Sequence, residues 1–165
     1  MPDTAEYLER IRGYAQSGDP LEQQERTPEV ISALIGGTAR ERLRERPAKD
    51  KWSIGEILAH LADDEVATAW RYRQMVEHDG IDLGAFDQDM WARLGNYQAR
   101  DPEESLELFR LVRQANLLFL RELSPAQLEH CGIHVERGRI TVSGLAAHMA
   151  GHDANHVEQI RRILS

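Results

Sequence analysis

The sequence predicts an all-α protein, a four-helix bundle with short extra helices, and three observations predict it. Apolar residues recur at helical spacing over four long segments, about residues 3–17, 53–78, 102–122 and 142–164. Helix-start signatures stand ahead of most of these segments. Period-two alternation, the mark of strands, is scarce. Long amphipathic helices in one small chain bury their stripes against one another, which makes a bundle; an irregular helical array is the alternative.

Taken in order, the opening "MPDTAEYLERIRGYAQSGDP" is charged and mixed, with no signal-peptide core, so it reads as the first helix. Shorter helices fill 20–46, one of them opened by Thr27 and Pro28. In "SIGE", Ser53 is the N-cap and Glu56 the N3 residue of a capping box, with Trp52 as a staple just ahead. Residues 79–100 read as a loop or broken helix. Their "FDQDMW" supplies Phe86, Asp87, Asp89 and Trp91, as packing more than as a cap on a site. Asp101 and Pro102 open the third long helix, and Ser124 and Pro125 a short one. "GIHVERGRITV" alternates weakly around Arg137 and Gly138 and suggests a small hairpin. Thr141 or Ser143 caps the last helix.

Composition excludes several functions. The chain has 165 residues, enough for one domain over 1–165 with a real core. Its net charge of −8 argues against a nucleic-acid partner and against an anionic membrane surface. A single cysteine, Cys131, excludes an internal disulfide and a CxxC metal motif. No apolar run approaches the ~18 residues of a membrane span. The expected location is cytoplasmic.

The chemistry concentrates in histidines. On a helical wheel of the last segment, Val142, Leu145, Met149, Ile160 and Ile163 form a stripe. His152 and His156 fall inside it, one turn apart, and His148 at its edge. An i, i+4 histidine pair can grip one metal ion, but a catalytic site usually needs three protein ligands. The third candidate is His60, at the margin of the stripe Ile54, Ile57, Leu61, Thr68, Tyr72 and Met75. Asp64 lies on that stripe, where a carboxylate needs a partner. It is the candidate catalytic group, as orienter of a ligand, fourth ligand or general base; Glu65 points further away. Arg113 and Asn116, on the stripe of the third long helix, are candidates to hold a substrate or cofactor group, or else to snorkel and to satisfy the backbone. His78, His130 and His134 read as surface or loop residues. Imidazoles suit a divalent transition metal: zinc or nickel foremost, with iron and copper also accommodated.

These residues resemble a known family. "KWSIGEILAHLADDE", followed far downstream by "HDANHVEQI", is similar to the DinB/YfiT-like superfamily, and the likeness extends through "FDQDMWARL" and "RDPEESLELFRLVRQANLLFLRELSP". The resemblance implies a bundle of up-down-down-up course. It also implies a divalent metal on three histidines, which by motif are His60, His152 and His156. Asn155 stands where relatives often carry a further histidine. Relatives include enzymes that transfer or add low-molecular-weight thiols such as bacillithiol and mycothiol. The expected activity is therefore a metal-dependent thiol S-transferase or hydrolase on a small molecule. A non-catalytic stress or damage-response protein with a structural metal, and a homodimer with the site near its interface, are the alternatives.

Overall fold

The computed structural model describes residues 5–15 and 18–165. Helix α1 covers Ala5–Ala15; the outer residues of the expected 3–17 helix lie outside the described ones. The next helix, α2, is a continuous 16-residue rod, Pro20–Ile35, and it rather than α1 is the first member of the bundle. Helix α1 packs outside, against the last helix.

The reading of Thr27-Pro28 as a helix start broke α2 wrongly, and the reason is specific. The real start is Asp19, whose side chain accepts from the Leu21 N–H at 2.8 Å, with Pro20 at the first position. Pro28 then sits inside the helix and cannot donate to the carbonyl of Gln24, a loss that usually kinks a helix. That carbonyl instead accepts from Arg113 Nη1 at 2.9 Å. A buried side chain from another helix fills the place of the missing N–H, which is information no local pattern holds.

After the short α3 (Arg40–Arg44), helix α4 runs Ile54–Glu77. Its capping box is formed: Glu56 N–H donates to Ser53 Oγ at 3.2 Å and Ser53 N–H to Glu56 Oε2 at 2.9 Å. Segment 79–100 is more ordered than expected, with β1 (Ile81–Leu83), α5 (Gln88–Leu94) and a 3₁₀ turn at Tyr97–Ala99. Asp87 caps α5, accepting from Asp89 and Met90 N–H at 2.9 and 3.0 Å. Helix α6 spans Pro102–Arg121 and α7 Pro125–Leu128. The expected hairpin exists as β2 (Cys131–His134) and β3 (Gly138–Thr141), with Gly138 at φ +69° in the turn. Strand β1 joins β2 in parallel, making a three-stranded sheet. Helix α8, Val142–Leu164, closes the chain, capped by Thr141 Oγ1 accepting from Gly144 N–H at 3.0 Å.

Helices α2, α4, α6 and α8 make the four-helix bundle, in the ring order α2–α6–α4–α8. Their directions follow from which ends meet. Gln24 and Ala146, both near helix starts, are bonded, so α2 and α8 run the same way. Pro102 lies against Gly55, so α4 and α6 start together. The first turns of α4 pack with the last turns of α8 around Ile57, Ile160 and Ile163, so those two helices oppose each other. The course is up-down-down-up.

Apolar side chains gather at the two ends of the bundle. One cluster holds Ile31, Ile57, Leu61, Phe109 and Ile160; the other holds Tyr72, Met75, Leu120, Leu145 and Met149. Between them the sequence places buried polar groups on every rod: Gln24 and Thr27, His60, Asp64 and Glu65, Arg113 and Asn116, and His152, Asp153 and His156. A polar belt across the middle of a small bundle is costly unless each group is partnered. No described helix is long and apolar enough to cross a membrane.

Candidate metal centre

Helix α4 delivers His60 and helix α8 delivers His152 and His156, and their rings meet in the polar belt. The Nε2 atoms of His60 and His156 stand 3.1 and 3.2 Å from Nε2 of His152. All three residues are buried. One ring nitrogen from each lies within 4.8 Å of the others, the arrangement that could hold a metal ion.

The donor set fits a metal. The His156 Nδ1–H donates to Gln159 Oε1 at 3.0 Å, which leaves its Nε2 as a lone pair aimed at the triad. Neutral imidazole has one N–H, so the two Nε2 contacts of His152 cannot both be good hydrogen bonds. A cation at the centre satisfies all three lone pairs at once. Zinc–nitrogen bonds of about 2.0–2.1 Å in a tetrahedral site put neighbouring nitrogens about 3.3–3.4 Å apart, close to the spacings found.

Burial sets the protonation states. It holds the His60 and His152 imidazoles well below their ordinary value and His156 down to about 4. All three are neutral at pH 7, as ligands must be. The Nδ1 atom of His152 is buried without a hydrogen bond, and the Asp64 carboxylate is its nearest anion at 3.6 Å. Burial pushes Asp64 up to about 7, against the pull of Arg71. A cation among the histidines acts the other way and favours the carboxylate.

A cavity of about 540 Å³ opens beside the triad. His60, His152 and Asp64 line it, while His156 sits behind them. Its other walls include Arg71, Phe86, His134, Arg137 and His148. Arg71 is anchored by its bond to the Gly84 carbonyl at 2.7 Å and lies over the Phe86 ring. Phe86 stacks on Trp91 at 4.2 Å, so the "FDQDMW" segment both packs and walls the cavity. The Trp52 ring lies 5.0 Å from the His60 ring and meets Tyr97 edge-on, so the staple residue also packs against His60.

Other expected residues fall elsewhere. His148 lines the cavity outside the triad, its ring 6.4 Å from His152, and burial pushes it down to about 3. His134, read as a loop residue, is buried on β2 and reaches the cavity, because the parallel β1 covers its strand. His78 is exposed at the end of α4, and His130 is half-buried with Nδ1 3.1 Å from the Val76 carbonyl. Arg113 and Asn116 do not line the cavity. They bond to Glu65, which sits one residue beyond Asp64 and therefore faces away from the histidines. Gln159 and Arg71 were missed. The HxxxHxxQ spacing, with Gln159 three residues after His156 on one helix face, was the available signal for the first.

Comparison with known proteins identifies the family and the fold. The sequence model of the DinB superfamily matches residues 23–160. Two proteins of Oceanobacillus iheyensis, each provisionally named a metal-dependent hydrolase, are similar to the chain. One is 23% identical over 165 residues, all of this chain and 87% of that protein. The other is 24% identical over 140 residues, 85% of this chain and 81% of that protein. Among solved structures, YfiT from Bacillus subtilis, described as a probable metal-dependent hydrolase with an unusual four-helix bundle topology, superposes with a TM-score of 0.81. It does so at 17% identity, over 97% of this chain and 87% of that one, which speaks for the fold.

Proposed function

Because the chain belongs to the DinB superfamily, we propose that it is a metal-dependent enzyme acting on a small molecule, in the first instance a hydrolase, with His60, His152 and His156 as ligands of a divalent transition metal. The observation that carries this reading is the cavity: the triad faces about 540 Å³ of space on its His60–His152 side. A structural site is closed by a fourth protein ligand, whereas a catalytic one keeps a position open. Among the described residues only the three histidines form such a cluster.

A divalent ion here supplies Lewis-acid chemistry, polarising the bond to be broken and activating the attacking group. Zinc or nickel suits three imidazoles best, and iron is accommodated. Gln159 holds the His156 ring through Nδ1. Asp64, on the cavity wall with its carboxylate 3.6 Å from His152 Nδ1, is in this reading the general base that takes a proton from the attacking group. The buried surroundings keep the imidazoles neutral and exclude bulk water from the ligand side.

The test is direct. The protein is purified without a histidine tag, its bound metal is measured by mass spectrometry, and His152→Ala and His156→Ala are compared with it. Loss of metal in these variants is expected; retention in both rejects the reading. Hydrolysis and transfer are then separated by assaying ester and amide panels with and without a low-molecular-weight thiol as the attacking species.

A further inference from the structure

We propose that Arg113 is a positioning residue for the histidine triad, acting through Glu65 and Asp153 to fix the rotation of the two helices that carry it. The inference rests on the metal reading above and extends it to a buried network one helix face away from the cavity.

Arg113 is 1% exposed. Its Nη1 donates to Asp153 Oδ2 at 2.5 Å and to the Gln24 carbonyl at 2.9 Å. Its Nη2 donates to Glu65 Oε2 at 2.8 Å and to Asp153 Oδ1 at 3.1 Å. Asn116 Nδ2 completes the set, donating to Glu65 Oε1 at 2.8 Å. The guanidinium lies over Phe109, 4.7 Å from its centroid. One side chain of α6 thus holds α2, α4 and α8 together.

The sequence positions of its partners give the network its meaning. Glu65 follows Asp64, and Asp153 follows His152. Adjacent helical residues diverge by about 100°, so a clamp on one sets where its neighbour points. An imidazole tip stands roughly 6 Å from its helix axis, so a rotation of about 10° moves it about 1 Å. Functional sites tolerate about 0.5 Å. Buried ion pairs add little net stability over a well-packed apolar set, so orientation is the better account of why the bundle carries this one.

Cobalt(II) is the probe, titrated into metal-free protein and followed by its visible bands, with affinity from chelator competition. Arg113→Lys keeps the charge and loses the fork; Asp153→Asn keeps the shape and loses the pair. Leu120→Ala, in the apolar cluster away from the triad, serves as a control for general loss of stability. Both network variants are expected to weaken cobalt binding about tenfold or more and to change its band intensities. The control, with a comparable fall in melting temperature, binds cobalt as the wild type does. Wild-type affinity and spectra in both network variants overturn the proposal, as does an equal loss in Leu120→Ala. If Arg113→Lys does not fold, Asp153→Asn decides. A wild-type protein that takes up no cobalt removes the metal reading and this inference with it; one that binds cobalt while the variants bind identically removes this inference alone.

Discussion

Nε2 of His60 and Nε2 of His152 lie 3.1 Å apart, although 92 residues separate them in the chain and their helices run in opposite directions. Two buried neutral imidazoles so close, with His156 3.2 Å from the second, form a group that could hold a cation, the premise of the proposed function.

Zinc added to metal-free protein is therefore expected to raise the melting temperature in a concentration-dependent way, because an ion that binds only the folded state stabilises it by about 2.7 kcal/mol at a hundred times its dissociation constant. His152→Ala abolishes that response. Differential scanning calorimetry with and without a chelator reads it, and an unchanged melting temperature in excess zinc contradicts it.

Gln159 accepts from His156 Nδ1 at 3.0 Å and so aims its Nε2 at the triad. Gln159→Ala is expected to weaken metal binding about 10–100-fold, with little effect on folding of the apoprotein. Competition against a chromogenic chelator measures the first, and a urea melt of metal-free protein the second.

Gly151 lies where α8 passes under α1. A Cβ there clashes with the Ile11 carbonyl oxygen. Alanine ordinarily stabilises a helix interior by up to about 1 kcal/mol over glycine. Here Gly151→Ala is expected to destabilise by about 1–3 kcal/mol, since backbone atoms must move apart. Because α1 packs against α8, where the added methyl pushes it away, α1 becomes more open to proteolysis in this variant. Urea denaturation and limited proteolysis check both effects.

Glu56 gives a pH signature. Burial opposes its charge, but the Arg46 guanidinium and the Ser53 cap outweigh burial and hold its carboxyl below the ordinary value of 4.5. A carboxylate whose pKa is lower in the folded state contributes stability that is fully present above its unfolded value and is lost as pH falls through the folded one. Stability should fall on acidification below about pH 4.5, and Glu56→Gln should flatten that part of the profile while lowering stability at pH 7. Parallel profiles for wild type and variant contradict the assignment.

Local patterns were enough for much of the site. Ser53 with Glu56, Asp101 with Pro102, and Thr141, one of two candidate caps, placed three of the long helices to within a residue or two, because caps act over three residues. The i, i+4 repeat put His152 and His156 on one face, and the wheel put His60 and Asp64 toward the same interior. The sequence also supported the hairpin, through Gly138, which can take the positive φ of its turn.

Long-range geometry settled the rest. Pro28 broke α2 in a local reading, yet the helix continues because Arg113, from another rod, bonds the carbonyl that Pro28 leaves unpaired. Arg113 and Asn116 read equally as cavity groups or as a snorkelling cation and a backbone partner, because a wheel shows that a residue faces inward without showing which of the neighbouring helices it meets. His134 became part of the cavity only when β1 paired with β2 across 50 residues of chain, a contact with no periodic trace. The sequence by itself determined three of the bundle's four helices, their inward faces and the three candidate imidazoles. Tertiary structure alone decided the distances at which these imidazoles meet, that Gln159 bonds His156 while Asp64 lies 3.6 Å from His152, and that a cavity opens on one side. Periodicity encodes only the direction a side chain leaves its own helix, whereas a site depends on the rotation and separation of several helices at once.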